Sequence, residues 1–159
     1  IRRTPEREHL FKWVGQLHKE SATYFFTMTS RPEVQITNWK QALKYKTALP
    51  REDSRIADLQ KIGFEVNKNL FITNRLNEAL AMFAQGRVDF FAGADLATEY
   101  QLKQMGWRKS LFTKTLENNK LKAPLYLAFS KQTSDEIVEQ FRQSFELITE
   151  QQNPTAISP

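Results

Sequence analysis

Few residues of this 159-residue chain stand at spacings that chemistry could use. The turn Arg51-Glu52-Asp53-Ser54 sets two carboxylates beside a guanidinium and a hydroxyl. It is the one spot that suggests acid–base work, with Glu52 and Asp53 as the pair. The bland reading of the same turn makes Asp53 a helix N-cap. Thr4-Pro5-Glu6-Arg7-Glu8 is a second candidate. The planar fork of Arg7 matches a carboxylate with two parallel hydrogen bonds, and Thr4 could add a hydroxyl. Against that, Glu6, Arg7 and Glu8 could form a solvated charged cluster. Asp95 reads as a helix N-cap, and Asp89 lies inside the apolar run Val88-Asp89-Phe90-Phe91-Ala92, bonding backbone or pairing with Arg87.

The excluded chemistries are as informative. The chain has no cysteine, so it has no disulfide, Cys-ligated zinc, iron–sulfur cluster or thiol nucleophile. Its two histidines, His9 and His18, lie in or beside the first predicted strand and leave little for a metal site. No G-x-S-x-G elbow, P-loop, G-x-G-x-x-G or H-E-x-x-H is present. No cofactor is implied. The net charge is +5, but lysines and arginines are scattered, with no recognition helix or aromatic-interleaved basic stripe. Nucleic acid is therefore not an expected partner.

These residues need elements to hold them. Three amphipathic stretches end at Gly63, Gly86 and Gly106, where a helix C-cap tolerates positive φ. Asp53, Asn74 and Asp95 precede those stretches as N-cap candidates. Arg75 to Gln85 sets Leu76, Ala79, Leu80 and Phe83 on one face at i, i+3, i+4, i+7. Thr37 is read as the cap of a short helix through Trp39, Ala42 and Leu43. Extended runs alternate with these helices: Tyr45 to Leu49, Asn69 to Thr73 and Val88 to Ala92. The last is apolar enough for a strand covered on both faces. Strand–helix alternation at this spacing predicts α/β.

The two ends differ. Leu10 to Leu17, Thr23 to Thr29 and Leu125 to Ser130 read as further strands. Thr133-Ser134-Asp135-Glu136 reads as a capping box. The helix after it carries Ile137, Val138, Phe141, Phe145 and Ile148 on one stripe. From Gln151 the chain turns polar and reads as a loose tail. No apolar run approaches the ~20 residues of a membrane-spanning helix. The first residue is Ile1 rather than Met, and no leader peptide is visible, so the expectation is that either something was removed or this is a piece of a longer chain.

Three segments carry a resemblance in order: Thr4 to Gln16 with T-P-E-R-E and F-K-W-V-G, Ala79 to Asp89 with A-L-x-M-F-x-x-G-R-V-D, and Leu125 to Lys131 with L-Y-L-A-F-S-K. Together they resemble family-3 extracellular solute-binding proteins of the polar-amino-acid type, over about Arg3 to Ile148. The nearest pattern is that of divergent bacterial members with R-T-x-E-R…F-x-W-V-G. The resemblance implies an α/β, periplasmic-binding-protein-like (type II) fold of two lobes closing on a ligand. Residues 1–21 would be the end of lobe 1 and the first hinge crossing, and 22–123 a complete lobe 2. Residues 124–150 would be the return hinge strand and C-terminal helix of an incomplete lobe 1, with 151–159 the tail.

The resemblance also assigns roles. Arg7 is placed where the family grips a ligand carboxylate, with Thr4 adding a hydroxyl. Arg51, Asp53 and Ser54 form the turn that meets the ligand from lobe 2, although Glu52 and Asp53 would repel a carboxylate. Asp95 lies near the position that binds the amino group. The implied protein captures a small polar, amino-acid-like solute in the periplasm and serves an ABC-type membrane permease. It is not an enzyme. Alternatives on the same fold are a sensory input domain, a periplasmic dehydratase and an effector domain of a transcription regulator. An incomplete lobe 1 predicts exposed apolar surface from Leu10 to Val14 and along Phe141 and Phe145, and paired or swapped copies.

Overall fold

A computed structural model describes the backbone of residues 1–152, and their side chains except at 18–21, 118–123 and 152. The tail from 153 onward and the His18 side chain lie outside the described residues. The chain forms two compact units. One comprises Ile1–Ser21 and the chain from Ala123 onward, and the other Ala22–Lys122. Strands β1 (Phe11–Met28) and β5 (Phe112–Ser130) run from one unit into the other.

Within Ala22–Lys122 the elements are α1 (Trp39–Ala42), β2 (Thr47–Pro50), α2 (Arg55–Ile62), β3 (Leu70–Thr73), α3 (Leu76–Ala84), β4 (Phe90–Ala94) and α4 (Asp95–Gln104). The sheet order is β3-β2-β4-β1-β5. Strands β2, β3 and β4 run parallel, with Thr47 opposite both Leu70 and Phe90. Strand β1 is antiparallel to β4, pairing Phe25 with Ala92. The α/β class expected from the alternation is the one observed.

The core follows from the same pattern. Helix α3 buries Ala79, Leu80 and Phe83, the stripe its spacing predicts. Phe90 and Phe91 point to opposite faces of β4, yet both are buried, as a strand with cover on both sides requires. Phe25 and Phe90 stack with centroids 4.5 Å apart, and Trp39 meets Phe25 edge-on. Gly63 ends α2 with φ of 114°, a backbone conformation that a side chain would strain.

Several local expectations shift. Asn38, not Thr37, caps α1: its side chain accepts from the Gln41 N–H, while Thr37 binds the Gln41 side chain. At α3 the cap position falls on Arg75, and Asn74 N–H instead donates to Glu78 at 3.0 Å. Asp95 is the first helical residue of α4, with Ala94 at the cap. Asp89 accepts the Lys46 N–H at 2.7 Å, the backbone bond expected of it, but its ion-pair partner is Arg31, at 2.7 Å, rather than Arg87. Short polar side chains compete for the same orphan N–H groups, and a shift of one residue decides which wins.

The other unit is built on the outer ends of β1 and β5 and on α5 (Asp135–Gln152). A 3-10 turn, Pro5–Leu10, leads into β1 and buries none of its residues. His9 lies in this turn and is exposed. Residues Arg2 and Leu125 form an antiparallel bridge, and the Tyr126 N–H donates to Ile1 at 2.8 Å. Helix α5 buries Val138 and sets Phe141 against Phe129, centroids 4.9 Å apart. Arg142 donates to the Trp13 carbonyl at 3.1 and 2.9 Å. Ser134 accepts the Ile137 N–H at 3.4 Å, one residue later than the expected capping box. Helix α5 runs on through Gln152, past the point where a tail was expected. Leu10 and Phe141 are exposed as expected, but Trp13 is buried and Phe11, Val14 and Phe145 are half-buried, because strand and helix cover one another.

Candidate functional site

In the unit Ala22–Lys122 the candidate residues gather at the carboxyl ends of the parallel strands. Open α/β sheets take ligands at that edge. Arg51, Asp53 and Ser54 form the turn between β2 and α2. The Arg51 N–H donates to Thr73 at 2.8 Å, and its guanidinium bonds the Asn74 side chain. Glu52 takes a positive φ of 67°, which turns the chain sharply into the helix. Ser54 occupies the cap position in helical geometry, without a capping bond from its side chain.

Asp53 has two tasks there. Its Oδ1 accepts the Arg55 backbone N–H at 2.9 Å, so it serves the start of α2 from one residue before the cap. Its two oxygens also take the Arg55 fork, at 2.9 and 2.5 Å. A third bond from Arg55, to the Ala92 carbonyl at 2.5 Å, ties this turn to the end of β4. The guanidinium lies 5.9 Å from the Phe91 ring centre. Arg55 is therefore the residue that joins the β2 end to the β4 end. No sequence motif marks it, since an arginine two residues beyond a turn aspartate reads as an ordinary helix-surface residue.

Asp95 stands at the β4 end. Its Oδ2 meets Lys114 of β5 at 2.8 Å, and that ammonium lies 5.0 Å over the Tyr24 ring. The hydrogen bond to Asp95 raises the Lys114 pKa. Asp95 Oδ1 is buried and accepts no hydrogen bond. The edge thus presents Asp95 half-satisfied, Arg51 exposed, and Asp53 committed to Arg55.

In the other unit, Thr4 caps the Pro5–Leu10 turn and Arg7 lies in it, and the Arg7 N–H donates to the Thr4 carbonyl at 3.0 Å. Glu8 is held by Arg3, whose fork reaches both its oxygens at 2.8 and 2.5 Å. That hydrogen bond depresses the Glu8 carboxyl below the usual range.

A groove of about 430 Å³ beside β3 and α3, rimmed by Asn74, Glu78 and Arg87, meets the candidate residues through Thr73 and Asn74, which both bond Arg51. Among the described residues no cluster of three or more histidines or carboxylates could hold a metal, and no helix is long and apolar enough to cross a membrane.

No family model and no curated protein matches the chain. Solved structures do match. A histidine kinase sensor domain, described as similar to periplasmic binding proteins, superposes with a TM-score of 0.71 at 17% identity, over 96% of this chain and 63% of that one. An amino acid ABC transporter substrate-binding protein of Streptococcus pneumoniae, bound to L-arginine, gives 0.72 at 12% identity, over 95% and 60%. A solute receptor for L-cysteine of Neisseria gonorrhoeae gives 0.71 at 16% identity, over 94% and 56%. The fold is therefore α/β and periplasmic-binding-protein-like. The chain spans about three fifths of the length of these structures.

Proposed function

We propose that this chain is the greater part of a solute-binding module, not an enzyme, that captures a small polar, amino-acid-like solute outside the cytoplasm. The observation that carries the reading is the shared fold with binding proteins for L-arginine and L-cysteine. The gathering of Arg51, Asp53, Ser54 and Asp95 at the carboxyl ends of the strands supports it.

In this reading Arg7 grips a carboxylate with its fork and Thr4 adds a hydroxyl. Arg51 and Ser54 meet polar groups of the solute, and Asp95 offers its half-satisfied carboxylate to an ammonium. Asp53 acts by holding Arg55 and the start of α2. Residues 1–21 and 124–150 belong to a first lobe that further chain completes, and 22–123 form the second. A second copy could supply the cover instead. Delivery to an ABC-type membrane permease in the periplasm is the role proposed.

Thermal shift and calorimetry with the twenty common L-amino acids test this directly. At least one should raise the melting temperature in proportion to the logarithm of its concentration. A folded sample that answers to none of them overturns the reading.

The sensor-domain likeness favours a second reading, an input domain that signals across a membrane. The full coding sequence decides between them: a membrane span followed by a kinase domain supports sensing, and a free-standing binding protein supports transport.

A further inference from the structure

We infer that Arg3 is a positioning residue for the turn that carries Thr4 and Arg7, acting as a staple between that turn and two aromatic rings. This rests on the proposed role of Arg7 in binding. The turn Pro5–Leu10 buries none of its residues, so no core packing dictates its shape. Something else must hold it.

The Arg3 guanidinium lies 5.2 Å from the centre of the Trp13 ring and 5.3 Å from that of Tyr126. Those rings meet edge to face, 6.0 Å apart at 80°, and Trp13 is buried. The cation is thus seated against a fixed aromatic wall. From that seat its fork takes both oxygens of Glu8. The Glu8 carbonyl in turn accepts the Trp13 indole N–H at 3.1 Å. Arg3 and Glu8 therefore close the segment between them into a ring pinned at two points to the wall. Inside that ring lies the bond from Arg7 N–H to Thr4. The direction in which Arg7 leaves the turn follows from the staple.

The pair is too exposed to matter much for global stability, with side chains 39% and 51% accessible. Its effect is local shape. A lysine at position 3 could keep a charge near the rings but could not reproduce the two-pronged grip.

The test compares the unaltered chain with Arg3→Lys, Arg3→Gln and Glu8→Gln. Exchange of the Arg7 amide with water, read by NMR on the labelled full chain, should quicken at least tenfold in all three. The melting temperature and the amides of β2 and β4 should stay unchanged. An Arg7 amide that exchanges within twofold of the parent overturns the inference. A general loss of protection with a fall in melting temperature also overturns it, because the pair would then be merely structural.

Binding of L-arginine, L-cysteine and L-glutamate provides the second arm. A probe bound by the parent should weaken at least fivefold in Arg3→Lys and be lost in Arg7→Gln. A probe that weakens in Arg7→Gln alone overturns the positioning role. If the parent binds none of the three and none of the other common amino acids, the binding reading falls, and the amide arm still decides the staple.

Discussion

Gly15 of β1 passes so close beneath Phe145 of α5 that a methyl group at position 15 would collide with the ring. Helix and strand meet there without a side chain between them. Gly15→Ala should cost about 1–3 kcal/mol, the usual price of overpacking, read from urea unfolding. In a Phe145→Leu background the ring is gone and the added methyl should cost much less. Equal costs in the two backgrounds would show that the close approach does not govern the packing.

That contact also marks where sequence reading stops. The stripe on α5 was legible because apolar residues recur at helical spacing, and so was α3. The V-D-F-F-A run pointed to a strand covered on both faces, although β4 begins only at Phe90 and runs on to Ala94. Gly15 was not legible, since nothing along the chain says which helix will cross it. The same holds for Arg55, whose guanidinium partners are the Asp53 carboxylate in the same turn and the Ala92 carbonyl on β4. Caps were misplaced by one residue wherever two polar side chains stood side by side, as at Thr37 and Asn38. The Arg3 staple depends on Tyr126, which is brought alongside only by the fold.

Arg55 supplies the next expectation. Its side chain and that of Asp53 are largely buried, at 16% and 12% accessible. Arg55→Met would leave the Asp53 carboxylate short of donors and free the Ala92 carbonyl. A loss of about 2 kcal/mol is expected, the cost of stranding buried polar groups. Replacing both, with Asp53→Asn added, should recover part of it. A single Arg55→Met variant as stable as the parent would contradict the tie between β2 and β4.

Asp135 gives a pH dependence. Its carboxylate accepts from Lys12 at 2.5 Å, and that bond, with the Lys12 charge, holds its pKa below the ordinary aspartate value. A carboxyl depressed in the folded state stabilises above its unfolded pKa, and the contribution is lost as pH falls through the lower, folded value. The difference in unfolding midpoint between the parent and Asp135→Asn should hold steady at neutral pH. It should close only below about pH 4. A difference that instead closes between pH 7 and 5 would assign the effect to another group.

Asp95 separates binding from stability. Its pairing with Lys114 is about one-third exposed, so Asp95→Asn should change stability by about 0–1 kcal/mol. Yet Oδ1 is buried without a donor, an arrangement that costs free energy unless something arrives to satisfy it. In the proposed reading, the solute's ammonium approaches this carboxylate. For whichever amino acid binds the parent best, Asp95→Asn should weaken affinity at least tenfold, about 1.4 kcal/mol. Lys114→Gln removes the competing cation and leaves the carboxylate in place, so it should leave affinity unchanged or raise it. If Asp95→Asn binds as tightly as the parent in calorimetry, the carboxylate belongs to the Lys114 pair alone, and the ammonium is held elsewhere.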